Sequence, residues 1–298
     1  MKRREFLSTV GVATAASLTP LHALIQSKGQ SAIQFGYHAI TWGGKDLQAI
    51  EEIAAGGFKG IQLRSNLIPE YGDKPQAIKD ILAKHKLTFV AFSSGNVLID
   101  PAREKETIDQ HVKHATFVKN AGGMFLQVTD ERPKDRPITK DDWTRMGKLL
   151  TEIGKRCSDL GVKLGYHNHM GNLGEKPEEV DAVLAAADPK VVTLELDIAH
   201  YTQGGGDPVA AVKKYADRLG FLHFKDVVAT PTDKRPYKFV ELGQGKVNIT
   251  GVADALKSVG FRGWTIVELD GVPDPSKTPS QCLQISKSYI ENTLKLKV

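Results

Sequence analysis

A chain of 298 residues is long enough to bury a substantial core, as one large barrel or as two medium domains. Its 41% apolar and 25% charged residues are ordinary globular values, which argues against a disordered chain and against a membrane bundle. The net charge of +5 is too diffuse for a nucleic-acid surface, because Lys2, Arg3 and Arg4 against Glu5 account for two of those units.

Residues 1–27 read as a leader, and 28–298 as the folded domain. Arg3 and Arg4 stand ahead of Phe6 and Leu7, an apolar run extends from Val10 to Leu18, and Leu21-His-Ala23 offers an imperfect cleavage site. This resembles a twin-arginine export signal and predicts a periplasmic or otherwise exported protein. Downstream, no run approaches the roughly 18 apolar residues of a membrane span, so no stable membrane insertion is expected after the signal is removed. The two cysteines, Cys157 and Cys282, read as lone thiols on separate helices.

Strand and helix patterns then alternate eight times. The strands are expected at Ile33–His38, Gly60–Arg64, Leu87–Phe92, Met124–Thr129, Val162–His167, Val191–Asp197, Gly220–Lys225 and Thr265–Leu269. Helices are expected at Asp46–Ala55, Lys74–His85, Glu104–Asn120, Lys140–Leu160, Pro177–Ala186, Pro208–Tyr215, Ile249–Ser258 and near Ser280–Leu294. Asp207 before Pro208, and Thr139 ahead of Asp141 and Asp142, mark helix starts. Gly57-Phe-Lys-Gly60 is echoed by Gly260-Phe-Arg-Gly263, each where a helix turns back into a strand. Eight such units predict a single (β/α)8 barrel of the TIM type. A doubly wound sheet is disfavoured because no Gly-x-Gly-x-x-Gly follows the first strand. Two long connections, Asp130–Thr139 and Val227–Asn248, are expected to be structureless lids or binding loops at the mouth.

The ionisable residues are unevenly placed. His85, His111 and His114 fall in helices and are expected to be solvated, whereas His38, His167, His169, His200 and His223 lie at or just past strand ends. Barrel strands converge there on one mouth. Side-chain alternation puts His167, Asp197, His223 and Glu268 on inward faces at similar height. Two imidazoles and two carboxylates suit one divalent Mn, Zn, Co or Fe ion better than calcium.

Gly165-Tyr-His-Asn-His-Met-Gly171, Leu196-Asp-Ile-Ala-His200, Gly205-Gly-Asp-Pro208, Leu222-His-Phe-Lys-Asp226 and Val267-Glu-Leu269 resemble the xylose-isomerase-like sugar isomerase/epimerase superfamily, and within it the inosose dehydratase branch. The resemblance implies a metal held by Asp197, His223 and Glu268. Many relatives of that kind carry a glutamate where this chain has His167, so a dehydratase or lyase is expected ahead of a two-glutamate epimerase. The implied reaction abstracts a proton beside the carbonyl of a small carbohydrate: an unphosphorylated keto-sugar, an oxidised glycoside or an inosose. His169, His38 and Lys225 are candidate bases, and His200 is a substrate contact or a partner orienting Asp197. Trp42 and Arg64 are candidate substrate contacts; Glu195, deeper on the Asp197 face, is either a further contact or half of an internal ion pair. A non-catalytic exported barrel that binds sugar or metal, and an abasic-site endonuclease, are the alternatives. The sequence leaves room for a homo-oligomer.

Overall fold

The computed structural model describes residues 33–230 and 236–298. The expected leader, 1–27, lies outside the described residues. Among the described residues there are ten strands: β1 (Ile33–His38), β2 (Gly60–Arg64), β3 (Thr88–Val97), β4 (Phe125–Asp130), β5 (Lys163–His167), β6 (Val192–Asp197), β7 (Leu219–Phe224), β8 (Asp226–Ala229), β9 (Tyr237–Val240) and β10 (Gly263–Val267). Eight of them, in the order β1-β10-β7-β6-β5-β4-β3-β2, close into a parallel barrel. The helices are α1 (Asp46–Ala55), α2 (Ile68–Tyr71), α3 (Pro75–Lys84), α4 (Glu104–Ala121), α5 (Lys140–Asp159), α6 (Pro177–Ala186), α7 (Ile198–Gln203), α8 (Pro208–Lys214), α9 (Ile249–Ser258) and α10 (Pro279–Asn292). No helix among the described residues is long and apolar enough to cross a membrane.

Local signals account for the helix starts. The Thr139 N–H donates to Asp142 Oδ2 at 2.8 Å, and Asp207 Oδ1 accepts the Val209 N–H at 2.9 Å. The barrel wall packs outward on the helices. A separate inner cluster of Val90, Ala91, Phe125, Phe221, Trp264 and Ile266 plugs the barrel floor, with the Phe125 and Phe221 rings 4.8 Å apart. Gly60 and Gly165 make room for that plug. A Cβ at Gly60 would come within 2.5 Å of Trp264, and one at Gly165 within 2.9 Å of Phe221. With Phe221 and Ile266 filling the floor, His223 and Glu268, two residues further along, point into the space above it.

Two expectations are corrected and one, the lone thiols, is met. The connection Val227–Asn248 is not structureless: β8 and β9 pair as an antiparallel hairpin. Asp226 ties its base, accepting the backbone N–H groups of Val227, Gly243, Gly245 and Val247 at 2.9–3.1 Å. Cys157 and Cys282 are both free and buried, as expected of lone thiols. His111 and His114 are buried rather than solvated, because α4 turns both toward the extended end of β3. There Ser94 Oγ meets His111 Nδ1 at 2.6 Å and His114 Nδ1 at 2.8 Å.

Burial pushes the pKa of both imidazoles down, that of His111 to about 4. The unfolded chain takes up the same proton near 6.5, so this contribution to stability is present above that pH and lost as pH falls toward 4. In urea titrations, the stability gap between wild type and His111→Asn is expected to narrow by up to about 3 kcal/mol from pH 7 to pH 4. A gap independent of pH is the contrary result.

Candidate active site

The mouth is built by strand ends that run into short turns. Asp197 closes β6 and caps α7: its Oδ1 accepts the backbone N–H groups of Ala199 and His200, both at 2.8 Å. Asn168 pins its backbone from the neighbouring strand, accepting the Asp197 N–H at 2.9 Å and donating to the Asp197 carbonyl at 3.2 Å. Thus Asp197 Oδ2 is left as the functional oxygen, buried and without a hydrogen-bond partner. His167 Nδ1 and His223 Nδ1 are in the same condition. Such groups are costly to bury unless something compensates them.

The separations say what would compensate them. His223 Nδ1 lies 3.0 Å from Glu268 Oε2 and 3.6 Å from Asp197 Oδ2, and the His167 and His223 rings are 4.9 Å apart. Ligand atoms about 2.1 Å from a tetrahedral metal sit about 3.4 Å from one another, between those two values. The donor set therefore fits a divalent ion. By distance alone, the four residues whose ligand atoms all lie within 4.8 Å are His167, Asp197, His200 and Glu268, while His223 groups with His38 and Glu268 or with His167 and Glu195.

Their surroundings separate His200 from His223. Burial, and then Lys225 and the neighbouring imidazoles, hold the His200 pKa well below the ordinary value, so it carries one proton. Its Nδ1 accepts the Met170 N–H at 3.3 Å and its Nε2 faces the Lys225 ammonium at 3.2 Å, so both ring nitrogens meet donors. His200 Nε2 is 3.8 Å from Asp197 Oδ2, a position from which it can orient that carboxylate. At His223, by contrast, Nε2 faces oxygens, Gln62 Oε1 at 2.9 Å and Glu195 Oε1 at 2.5 Å. Burial opposes charge on His223, but Glu195 and Glu268 outweigh it and keep its pKa well above the usual value, so an ion at Nδ1 would take the place of that proton. Burial raises Glu195 to about 7 against the pull of His223. Glu195 is therefore half of an internal ion pair, deeper than any substrate would reach.

The other candidates separate by surroundings. His38 donates from Nδ1 to Glu268 Oε1 at 2.6 Å and is buried, so it braces a carboxylate and is not a free base. Lys225 is also buried. Its Nζ donates to Glu268 Oε2 at 2.9 Å and to Asp270 Oδ1 at 2.6 Å, lies 3.2 Å from His200 Nε2 and sits 4.1 Å from the Phe239 ring centre. Burial works against its charge, yet Asp270 and Glu268 raise its pKa above the ordinary lysine value. A lysine so held gives a hydrogen bond and takes no proton. His169 is half-buried at the rim, its ring centre 3.8 Å from that of His200, with Nδ1 donating to the Met170 carbonyl at 2.7 Å. That leaves its Nε2 lone pair available. Arg64 lies half-buried at the end of β2, its Nε donating to Asn66 Oδ1 at 3.3 Å. Trp42 does not face the mouth. The short turn Ala39–Trp42 folds it between β1 and α1, where Nε1 donates to Glu52 at 2.8 Å and the ring packs edge-on to Tyr37.

Gln62, Ser93, Asn168, Phe239 and Asp270 belong to the site but were not singled out from the sequence. Gln62 had a signal, as a polar residue inside the apolar strand Gly60–Arg64. Phe239 had none, because its place depends on the hairpin.

A family model described as xylose isomerase-like TIM barrel matches residues 50–286. The chain belongs to this family. Among curated members, an inosose dehydratase from Lacticaseibacillus casei is 26% identical over 300 residues, covering 89% of this chain and 98% of the relative. One from Clostridium beijerinckii is 25% identical, covering 82% and 88%. Among solved structures, the barrel resembles the IOLI protein with a zinc atom bound, at a TM-score of 0.74 and 19% identity over 88% of this chain and 98% of that one. A sugar phosphate isomerase/epimerase from Parabacteroides distasonis gives 0.72 and 19% over 91% and 98%. At those identities the structural likeness is one of fold. The family fold places an active site at the strand ends described above.

Proposed function

We propose that this member of the family is a metal-dependent dehydratase of an unphosphorylated keto-sugar, oxidised glycoside or inosose. The observation that carries the reading is the set of buried, unpartnered atoms His167 Nδ1, Asp197 Oδ2 and His223 Nδ1 beside a lysine held charged. His167, Asp197, His223 and Glu268 would hold one Mn, Zn, Co or Fe ion, which when bound supplies a Lewis acid toward a ketone and its neighbouring hydroxyl.

The remaining chemistry falls to the chain. His169 Nε2 takes the proton from the carbon beside the carbonyl. Lys225 donates a hydrogen bond to the carbonyl oxygen as negative charge develops there. The bond to the β-oxygen then breaks, the oxygen leaving with the electron pair and receiving the proton from His169. Water departs and a carbon–carbon double bond forms next to the ketone; a glycosidic oxygen in that position would leave as an alcohol. Two points support elimination over epimerisation: the inosose dehydratase relatives, one aligning over 89% of the chain, and His167, an imidazole where the resemblance implies that many epimerases carry a glutamate base. In D2O, proton NMR of the metal-loaded protein with an inosose or a 3-keto-glycoside is expected to show an unsaturated ketone. An epimer deuterated at the α-carbon, with no unsaturated product, would be the contrary outcome.

An unphosphorylated substrate is consistent with an exported enzyme, and we propose that residues 1–27 direct that export. Cell fractionation that recovers the protein only from the cytoplasm, with residues 1–27 uncleaved, is the result against it.

A further inference from the structure

His223 can ligate through Nδ1 only if its proton is on Nε2, and a directed chain of hydrogen bonds imposes that choice. Glu268 Oε1 is a carboxylate oxygen, so His38 Nδ1 must be the donor across the 2.6 Å contact. A neutral His38 then has a bare Nε2, which accepts the Ser93 hydroxyl at 3.3 Å. With its proton committed, Ser93 Oγ accepts from Gln62 Nε2 at 2.9 Å. The Gln62 amide is thereby oriented with Oε1 toward His223 Nε2 at 2.9 Å, where only an N–H is satisfied. Glu195 Oε1 lies 2.5 Å from the same nitrogen, an ion-pair contact outside hydrogen-bond alignment that still sets negative charge against Nε2. On the other side of the ring Nδ1 faces the carboxylates of Glu268 and Asp197.

We propose that Gln62 and Glu195 are positioning residues that fix His223 as its Nε2–H tautomer and so deliver Nδ1 to the ion. The inference rests on the reading of His223 as a ligand. The opposite tautomer would set the Nε2 lone pair against two acceptor oxygens and put a proton in the place of the metal. Because the chain begins on Glu268 and ends on His223, the orientation of one ligand sets the proton of the other. The three intermediates, His38, Ser93 and Gln62, and the flanking Glu195 lie on strands of the barrel wall, so no loop motion disturbs the order.

The test is a zinc competition titration of the full chain, with 15N NMR of the histidine rings in the zinc-loaded protein. Gln62→Leu and Glu195→Gln are each expected to weaken zinc binding about 10- to 100-fold, in the range found for partners of metal-bound histidines. The wild-type spectrum is expected to show His223 protonated at Nε2 and metal-bound at Nδ1. A purely structural role would lower the melting temperature of the metal-free protein while leaving zinc affinity and the His223 resonances unchanged, and that result overturns the proposal. Asp197→Asn is the control. If it loses zinc while Gln62→Leu and Glu195→Gln bind normally, only this inference fails. If wild type binds no zinc, or Asp197→Asn binds as well as wild type, the ion site itself fails and takes the inference with it. Should Glu195→Gln not fold, Gln62→Leu and the wild-type spectrum decide the question.

Discussion

Asp197→Asn is expected to remain folded, to lose its bound divalent ion, and to turn over substrate at least about 10^3-fold more slowly. The rate loss follows from several kcal/mol of Lewis-acid stabilisation at about 1.4 kcal/mol per decade. Asparagine is the informative replacement because of the two jobs at this position. Its side-chain oxygen can still accept the Ala199 and His200 N–H groups that Asp197 Oδ1 accepts, so the α7 cap survives. Only the charge of Oδ2 is lost. Asp197→Ala removes the cap as well and adds about 1 kcal/mol of destabilisation. Metal content of the purified variants, read beside their melting curves, checks this. An Asp197→Asn protein with a full metal complement and wild-type turnover would show that the ion is held elsewhere or is not needed.

Lys225→Met is expected to cut turnover about 10^2- to 10^3-fold, the range for deleting one preorganised donor to a developing oxyanion, with a smaller change in KM. Methionine keeps the volume beside Phe239 but removes the charge that neutralises Glu268 and Asp270. Asp270 is 41% exposed at its side chain and can turn to water, whereas Glu268, at 6%, cannot. The metal-free variant should therefore be destabilised by about 3 kcal/mol, as when a buried pair loses one partner, and added metal should restore part of that loss. If Lys225 were instead the base, turnover would vanish in the methionine variant and return with an added primary amine. Measured rescue by ethylamine would move the base from His169 to Lys225.

Much of this arrangement was legible in the sequence because barrel geometry converts strand order into spatial convergence. Once eight strand–helix units were counted, the ends of the fifth through eighth barrel strands had to meet, and side-chain parity put His167, Asp197, His223 and Glu268 on the inside. Roles were harder to read than places. His38 looked like a free base, but it braces Glu268; Lys225 looked like one too, but two carboxylates hold it charged. The difference lies in contacts between residues up to 230 positions apart, which no local pattern encodes. Trp42 failed for a local reason: a single short turn after β1 rotated it away from the mouth and onto Tyr37. His111 and His114 failed because β3 runs on to Val97, giving α4 a longer wall to bury against than the six residues expected.

The four backbone donors gathered on Asp226 bear on how molecules enter and leave. Swinging the hairpin base outward would break four hydrogen bonds together, at about 1 kcal/mol each, so only about one molecule in 10^3 would be open there at any moment. Lys225 is the next residue in the chain and would be dragged out of place by the same movement. The β8–β9 side of the mouth is therefore a fixed awning.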